Sequence, residues 1–186
     1  LRTPGDIDIW LDGGDEKAIE YVRRFFPDCE PTYHHVDFPI ANNLDIEIHY
    51  RPTWLYNPFA NKRLQKYFVD NSATQFGNYM TTAEGNFPIP TAAFNRMYIL
   101  LHIYRHIFFE GIGMRQLLDY YFVLCQGCSE AERDETMRVL RSLKMKRFAG
   151  AVMWVLKEVY GMDDRYMLTA PDEREGRFLL SEIMMA

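Results

Sequence analysis

Two carboxylates two residues apart near the start of the chain, Asp6-Ile7-Asp8-Ile9, constrain this protein more than any other feature. In an extended strand, residues i and i+2 point to the same side about 6.6 Å apart. Asp6 and Asp8 therefore share one face and Ile7 and Ile9 the other, so burying the isoleucines displays the acids side by side. A second segment repeats the pattern: Leu44, Ile46, Ile48 and Tyr50 form one face, and Asp45, Glu47, His49 and Arg51 the opposite one. Asp and Glu are poor strand formers, and like charges facing each other across a sheet cost roughly 0.2–1 kcal/mol per pair. Two such strands side by side need a counter-charge. A divalent cation held by two or three carboxylates supplies it, and two ions about 3.5–4 Å apart can clamp the attacking and leaving oxygens of a phosphoryl displacement. The competing reading is a pair of solvated strands in an open sheet.

The rest of the chain divides in two. Segment 7–11 alternates and ends at the turn Asp12-Gly13-Gly14, which predicts a short strand. From Asp15, read as an N-cap, Ala18, Ile19, Val22, Phe25 and Phe26 recur at helical spacing until Pro27. Segments 32–38 and 44–51 read as extended, joined through Pro39-Ile40-Ala41-Asn42-Asn43 as a hairpin connection. After Pro90 the period becomes helical: Phe94, Met97, Tyr98, Leu101 and Tyr104 mark one helix, interrupted by Gly111-Ile112-Gly113. A second spans 114–124, Ser129-x-x-Glu132 is a capping box opening a third, Phe148 to Val159 marks a fourth closed by Gly161, and 172–184 a fifth. The expected class is α+β: a small mixed β-sheet with flanking helices in residues 1–88, followed by an all-helical bundle in 89–186. The chain opens at Leu1 with a strand already under way, so the N-terminal part of the first region is expected to lie upstream.

Composition narrows the partners. The net charge of -5 gives no footprint for nucleic acid or an anionic membrane. No apolar run approaches a membrane span and no signal peptide opens the chain, so the cytoplasm is the expected compartment. Cys29, Cys125 and Cys128 are an odd, scattered set and read as reduced thiols.

The words themselves go further. Pro4-Gly5-Asp6-Ile7-Asp8-Ile9-Trp10, with Leu44-Asp45-Ile46-Glu47-Ile48-His49-Tyr50-Arg51, resembles the polymerase-beta-like nucleotidyltransferase superfamily, and within it a bacterial family of uncharacterised nucleotidyltransferases. The likeness continues through Leu101-His102-Ile103-Tyr104-Arg105-His106 and Gly111 to Asp119. The resemblance implies magnesium- or manganese-dependent transfer of a nucleoside monophosphate from a nucleoside triphosphate to an acceptor hydroxyl, with release of pyrophosphate. Asp6 and Asp8 match the family's paired metal-binding aspartates, and Glu47 its third carboxylate, with Asp45 second in order. The Gly-Ser turn that the superfamily places before its aspartates is not in the sequence, because Gly13-Gly14 follows them; the turn is expected upstream of Leu1. The alternatives are a non-catalytic nucleotide- or protein-binding module on the same scaffold and a nucleotide-hydrolysing enzyme.

Of the remaining candidates, Arg2 and Arg51 are the basic groups expected to meet a triphosphate. His102 and His106 lie four apart on one helix face but lack a third ligand, so packing between the helices and the sheet is the leading reading. His34-His35 falls in a predicted strand that allows only one ring to face the acids, and receives no role. The segment 52–59, with Trp54 and Tyr56, is placed as an acceptor-binding loop by position alone. The identity of the acceptor is not encoded in any of these features.

Overall fold

The computed structural model describes residues 6–39, 45–109 and 113–185. The opening alternation becomes strand β1 (Ile7–Trp10). The turn after it depends on glycine, since Gly13 and Gly14 have φ of +104° and +81°, where a side chain is strained. Gly13, rather than Asp15, is thus the N-cap of helix α1 (Gly14–Arg23), and Asp15 stands in the first turn, where a carboxylate meets the positive end of the helix dipole. The two extended segments narrow to β2 (His35–Asp37) and β3 (Ile46–His49), which pair antiparallel as a hairpin connection requires. Residues 40–43 of that connection lie outside the described residues.

The sheet is mixed, in the order β1-β3-β2, with β1 parallel to β3. Register sets Asp8 beside Glu47 and Glu47 beside Asp37, and the next row on the same face is Trp10, His49 and His35. On the opposite face Ile48 and Val36 are buried with Phe38 and Tyr50 beneath Ala18 and Val22 of α1. Ile7 and Ile9 do not go fully to this core. β1 is an edge strand, α1 lies over β2 and β3, and the two isoleucines keep 42% and 41% of their surface exposed.

A helix and a two-stranded hairpin absent from the sequence reading lie between the sheet and the helical half in the chain. Helix α2 (Pro58–Phe76) starts at Asn57, whose side-chain oxygen accepts from the amides of Phe59 (3.1 Å) and Ala60 (3.0 Å), with Pro58 in the first turn. It buries Ala60, Leu64 and Phe68 at four-residue spacing. Strands β4 (Tyr79–Thr82) and β5 (Gly85–Pro88) follow as an exposed hairpin.

The five expected helices are present: α3 (Ala92–Phe109), α4 (Met114–Cys125), α5 (Glu130–Ser142), α6 (Lys146–Tyr160) and α7 (Glu173–Met185). The capping box at α5 forms as read, with Ser129 Oγ accepting from the Glu132 amide (3.2 Å) and Glu132 Oε2 from the Ser129 amide (2.8 Å). Gly161, at φ +67°, closes α6. Helix α6 is buried through its middle, from Ala149 to Leu156, and α7 comes close to it through Gly176, where a Cβ would stand 2.5 Å from the Trp154 ring. One large apolar core runs from Leu55 to Ile183, separate from the small cluster under the sheet. No helix among the described residues is long and apolar enough to cross a membrane.

Trp10 ties the two parts together. It stacks on Phe94 of α3 (5.7 Å, 14° between planes) and contacts Phe68 and Phe76 of α2 (6.2 and 4.8 Å), each such pair adding about 0.5–1.5 kcal/mol beyond its buried area. The acid-bearing face of the sheet is therefore only partly open to solvent, with Asp6 and Asp8 exposed and Glu47 half-buried. It lies under α3.

Candidate active site

Phe94, Tyr98, His102 and His106 are spaced by four and form one stripe along α3. The stripe changes character along its length. Phe94 anchors on Trp10, and one turn later the Tyr98 hydroxyl donates to Asp8 Oδ2 (2.8 Å). Beyond it, His106, together with Arg105, lines a cavity of about 290 Å³.

Asp8 and Glu47, neighbours across the parallel pair of strands, converge on one atom. His49 Nε2 lies 3.2 Å from Asp8 Oδ1 and 3.0 Å from Glu47 Oε2. The other ring nitrogen of His49 faces the Arg51 carbonyl at 3.3 Å. A carbonyl only accepts, so Nδ1 carries a hydrogen and Nε2 is the nitrogen turned to the acids. His49 is 2% exposed. Burial alone would lower its pKa, but the hydrogen bonds to Asp8 and Glu47 push it up to about 9, so at neutral pH it is an imidazolium between two carboxylates. The counter-charge that the strand pattern demands is thus present within the chain. Burial likewise works to raise the Asp8 carboxyl, but hydrogen bonds and charge from His49, with the Tyr98 hydroxyl, hold it well below the usual range. His49 also lowers Glu47, against its burial, with help from His35. Asp6 moves the other way, raised by burial and by the charge of Asp8.

Asp6 and Glu47 line the same cavity, together with His34, His35, Trp54, Arg105 and His106. Asp6 and Glu47 thus share this cavity, and Asp8, which is not among its lining residues, is joined to Glu47 through His49. Asp45, the second choice for the third carboxylate, is exposed at the end of β3 and is not among the residues lining this cavity. Arg2 lies outside the described residues. Arg51 is turned to a different cavity, shared with Trp10 and Gly13, where it pairs with Asp15 (3.3 Å) and lies over the Tyr33 ring (4.8 Å). The arginine that lines the cavity of Asp6 and Glu47 is Arg105, which donates to His34 Nε2.

Sequence reasoning passed over several residues here. His34 precedes β2 instead of lying in it, which frees both rings of the His34-His35 pair to reach the cavity. His35 Nδ1 is 3.1 Å from Glu47 Oε2. Burial and the Arg105 charge push His34 down to about 3, and burial with the neighbouring His106 pushes His102 down to about 4, so both rings are neutral. The signal for His49 was available, since it shares the acid face of its strand. The contacts of Tyr98 and Arg105 carried none, because only the tertiary placement of α3 brings them to Asp8 and His34, 90 and 71 positions earlier in the chain.

Comparison with known proteins gives one finding. A family model described as an uncharacterised nucleotidyltransferase matches residues 1–161. No curated protein and no solved structure matches significantly.

Proposed function

The chain belongs to the uncharacterised nucleotidyltransferase family, and from that premise we propose that it moves a nucleoside monophosphate from a nucleoside triphosphate to an acceptor hydroxyl in a metal-dependent reaction. The observation that carries this reading is the convergence of Asp8 and Glu47 on His49, with Asp6 on the wall of the same cavity.

The donor set suits Mg²⁺ or Mn²⁺. Three carboxylates on one face are hard oxygen ligands, and two of them stay ionised in the fold. Asp6, Asp8 and Glu47 would hold the ion or ions, which supply charge neutralisation at the transferred phosphoryl group and the leaving pyrophosphate. The acceptor oxygen forms a bond to the α-phosphorus as the bond to the bridging oxygen breaks, and Glu47 takes the acceptor's proton. Tyr98, donating to Asp8 Oδ2, fixes that carboxylate's orientation. Trp54 and Arg105 line the cavity where the nucleotide and acceptor would meet. Arg51 reaches a triphosphate only by exchanging its pair with Asp15, so Arg105, with Arg2 from outside the described residues, is the stronger assignment for phosphate contact. The acidic net charge favours an acceptor other than a nucleic acid.

The test is titration with Mg²⁺ and Mn²⁺ in the presence of each nucleoside triphosphate while pyrophosphate release is followed, with cell extract as the acceptor source. Asp8→Asn is expected to lower the rate by on the order of 10²-fold or more, the scale of losing one preorganised electrostatic group. Metal binding without release for any nucleotide would favour a binding module on the same scaffold, and release with no acceptor added would point to hydrolysis.

A further inference from the structure

We propose that His35, Glu47 and His49, with His34 as a fourth donor, form a transition-metal site of mixed nitrogen and oxygen ligands, joined to the three-carboxylate cluster through Glu47. The ligating atoms of these four residues all lie within 4.8 Å of one another. Along the group, His34 Nε2 is 3.1 Å from His35 Nδ1, His35 Nδ1 is 3.1 Å from Glu47 Oε2, and Glu47 Oε2 is 3.0 Å from His49 Nε2. Ligands about 2.0–2.1 Å from a tetrahedral ion stand about 3.3–3.4 Å from each other, so three of the six ligand–ligand spacings are close to the edges of a coordination tetrahedron, and the others, all within 4.8 Å, would close by small side-chain shifts.

The fold builds the group for a physical reason. His35 and His49 face each other in register on antiparallel strands, and Glu47 is two residues before His49, so all three fall on one face. Two of the rings are oriented from behind. The Arg51 carbonyl holds His49 Nδ1, and the Thr32 hydroxyl lies 3.4 Å from His34 Nδ1, which turns each Nε2 toward the cluster. A backbone or side-chain partner on the far nitrogen is the usual way a metal-bound imidazole is fixed. Both rings are more than nine-tenths buried, and His49, an imidazolium in the ion-free fold, would release its Nε2 proton to solvent as the cation takes over its place beside Glu47.

Imidazole ligands select zinc, cobalt, nickel or copper over magnesium, which demands oxygen donors. Arg105 now donates to His34 Nε2. The first three ligands would therefore hold the ion, and His34 would join as the guanidinium withdraws into the cavity that both residues line. Until then the fourth position opens onto that cavity, the arrangement of metal sites that keep a place for water or substrate. The site shares Glu47 with the proposed transfer chemistry but needs neither Asp6 nor turnover.

Cobalt(II) titration of the metal-free full chain, followed by visible absorption, tests this apart from activity. One equivalent is expected to bind with the intense bands of a four-coordinate ion. Asp6→Asn should leave the spectrum unchanged even if it abolishes pyrophosphate release, whereas His35→Gln should weaken binding by more than about tenfold, the least that disturbing a ligand's support costs. His35 is only partly buried, so that variant keeps the test open if His49→Gln fails to fold. No binding, or a weak six-coordinate spectrum lost in Asp6→Asn and retained in His35→Gln, overturns the site. Pyrophosphate release that survives while the cobalt bands are missing would overturn this site alone and leave the transferase reading standing.

Discussion

The helical core and the polar face of the sheet meet along α3 and are held together in opposite ways. The core, from Leu55 to Ile183, buries apolar side chains with few charges among them. The polar face gathers two depressed carboxylates, an imidazolium and neutral histidines within hydrogen-bonding distance. Stability in the first comes from area removed from water, which is additive and indifferent to partners. In the second it comes from mutual compensation, so each group is stable only because its neighbours are present. The two regions should therefore respond differently to losing one buried side chain.

The largest stability effect belongs to the core. Leu140 is fully buried, and Leu140→Ala should cost about 2–5 kcal/mol in urea unfolding, with the cobalt spectrum and metal affinity unchanged in the folded fraction. A loss below about 1 kcal/mol would mean that the helices are not packed as described. His49→Gln should cost less, about 1–3 kcal/mol in chelator, because it removes the charge that lets Asp8 and Glu47 stay ionised side by side. Excess Mg²⁺ should return much of that loss by supplying the missing charge, which no ion can do for Leu140→Ala. Equal costs with no recovery in Mg²⁺ would erase the distinction and make the polar face an ordinary structural cluster.

The same contrast explains what the sequence discloses. The acid face was legible because alternation is a local property of a strand: spacing sets Asp6 with Asp8 and Asp45 with Glu47, and the family resemblance ranked Glu47 ahead of Asp45. The capping box, the Gly161 stop and the bundle helices were legible for the same reason. Helix α2 was not, because Phe59 and Val69 are exposed among its buried residues and blur the helical period, and the β4–β5 hairpin has no apolar face to reveal it. Within the site, the register that sets Asp8 beside Glu47 and His49 beside His35 is decided by strand pairing, which spacing within one strand does not encode. Arg51 shows the converse. It lies on the strand's polar side as read, yet Asp15 and Tyr33 draw it to another cavity.

The smallest effect lies at the solvent edge of the helical half, where a charge acts with almost no burial. The Ser129 hydroxyl and amide, donating to Glu132, hold that carboxyl below its ordinary value. A depressed carboxylate contributes stability above its unfolded pKa and loses it as pH falls through the folded value. Glu132→Gln should therefore be less stable than the parent at pH 7, by less than either change above, with the gap closing as the pH drops below the ordinary glutamate range. Thermal unfolding of both proteins across that range is the measurement. A gap that persists in acid would show that the glutamate acts through its shape and hydrogen bonds alone.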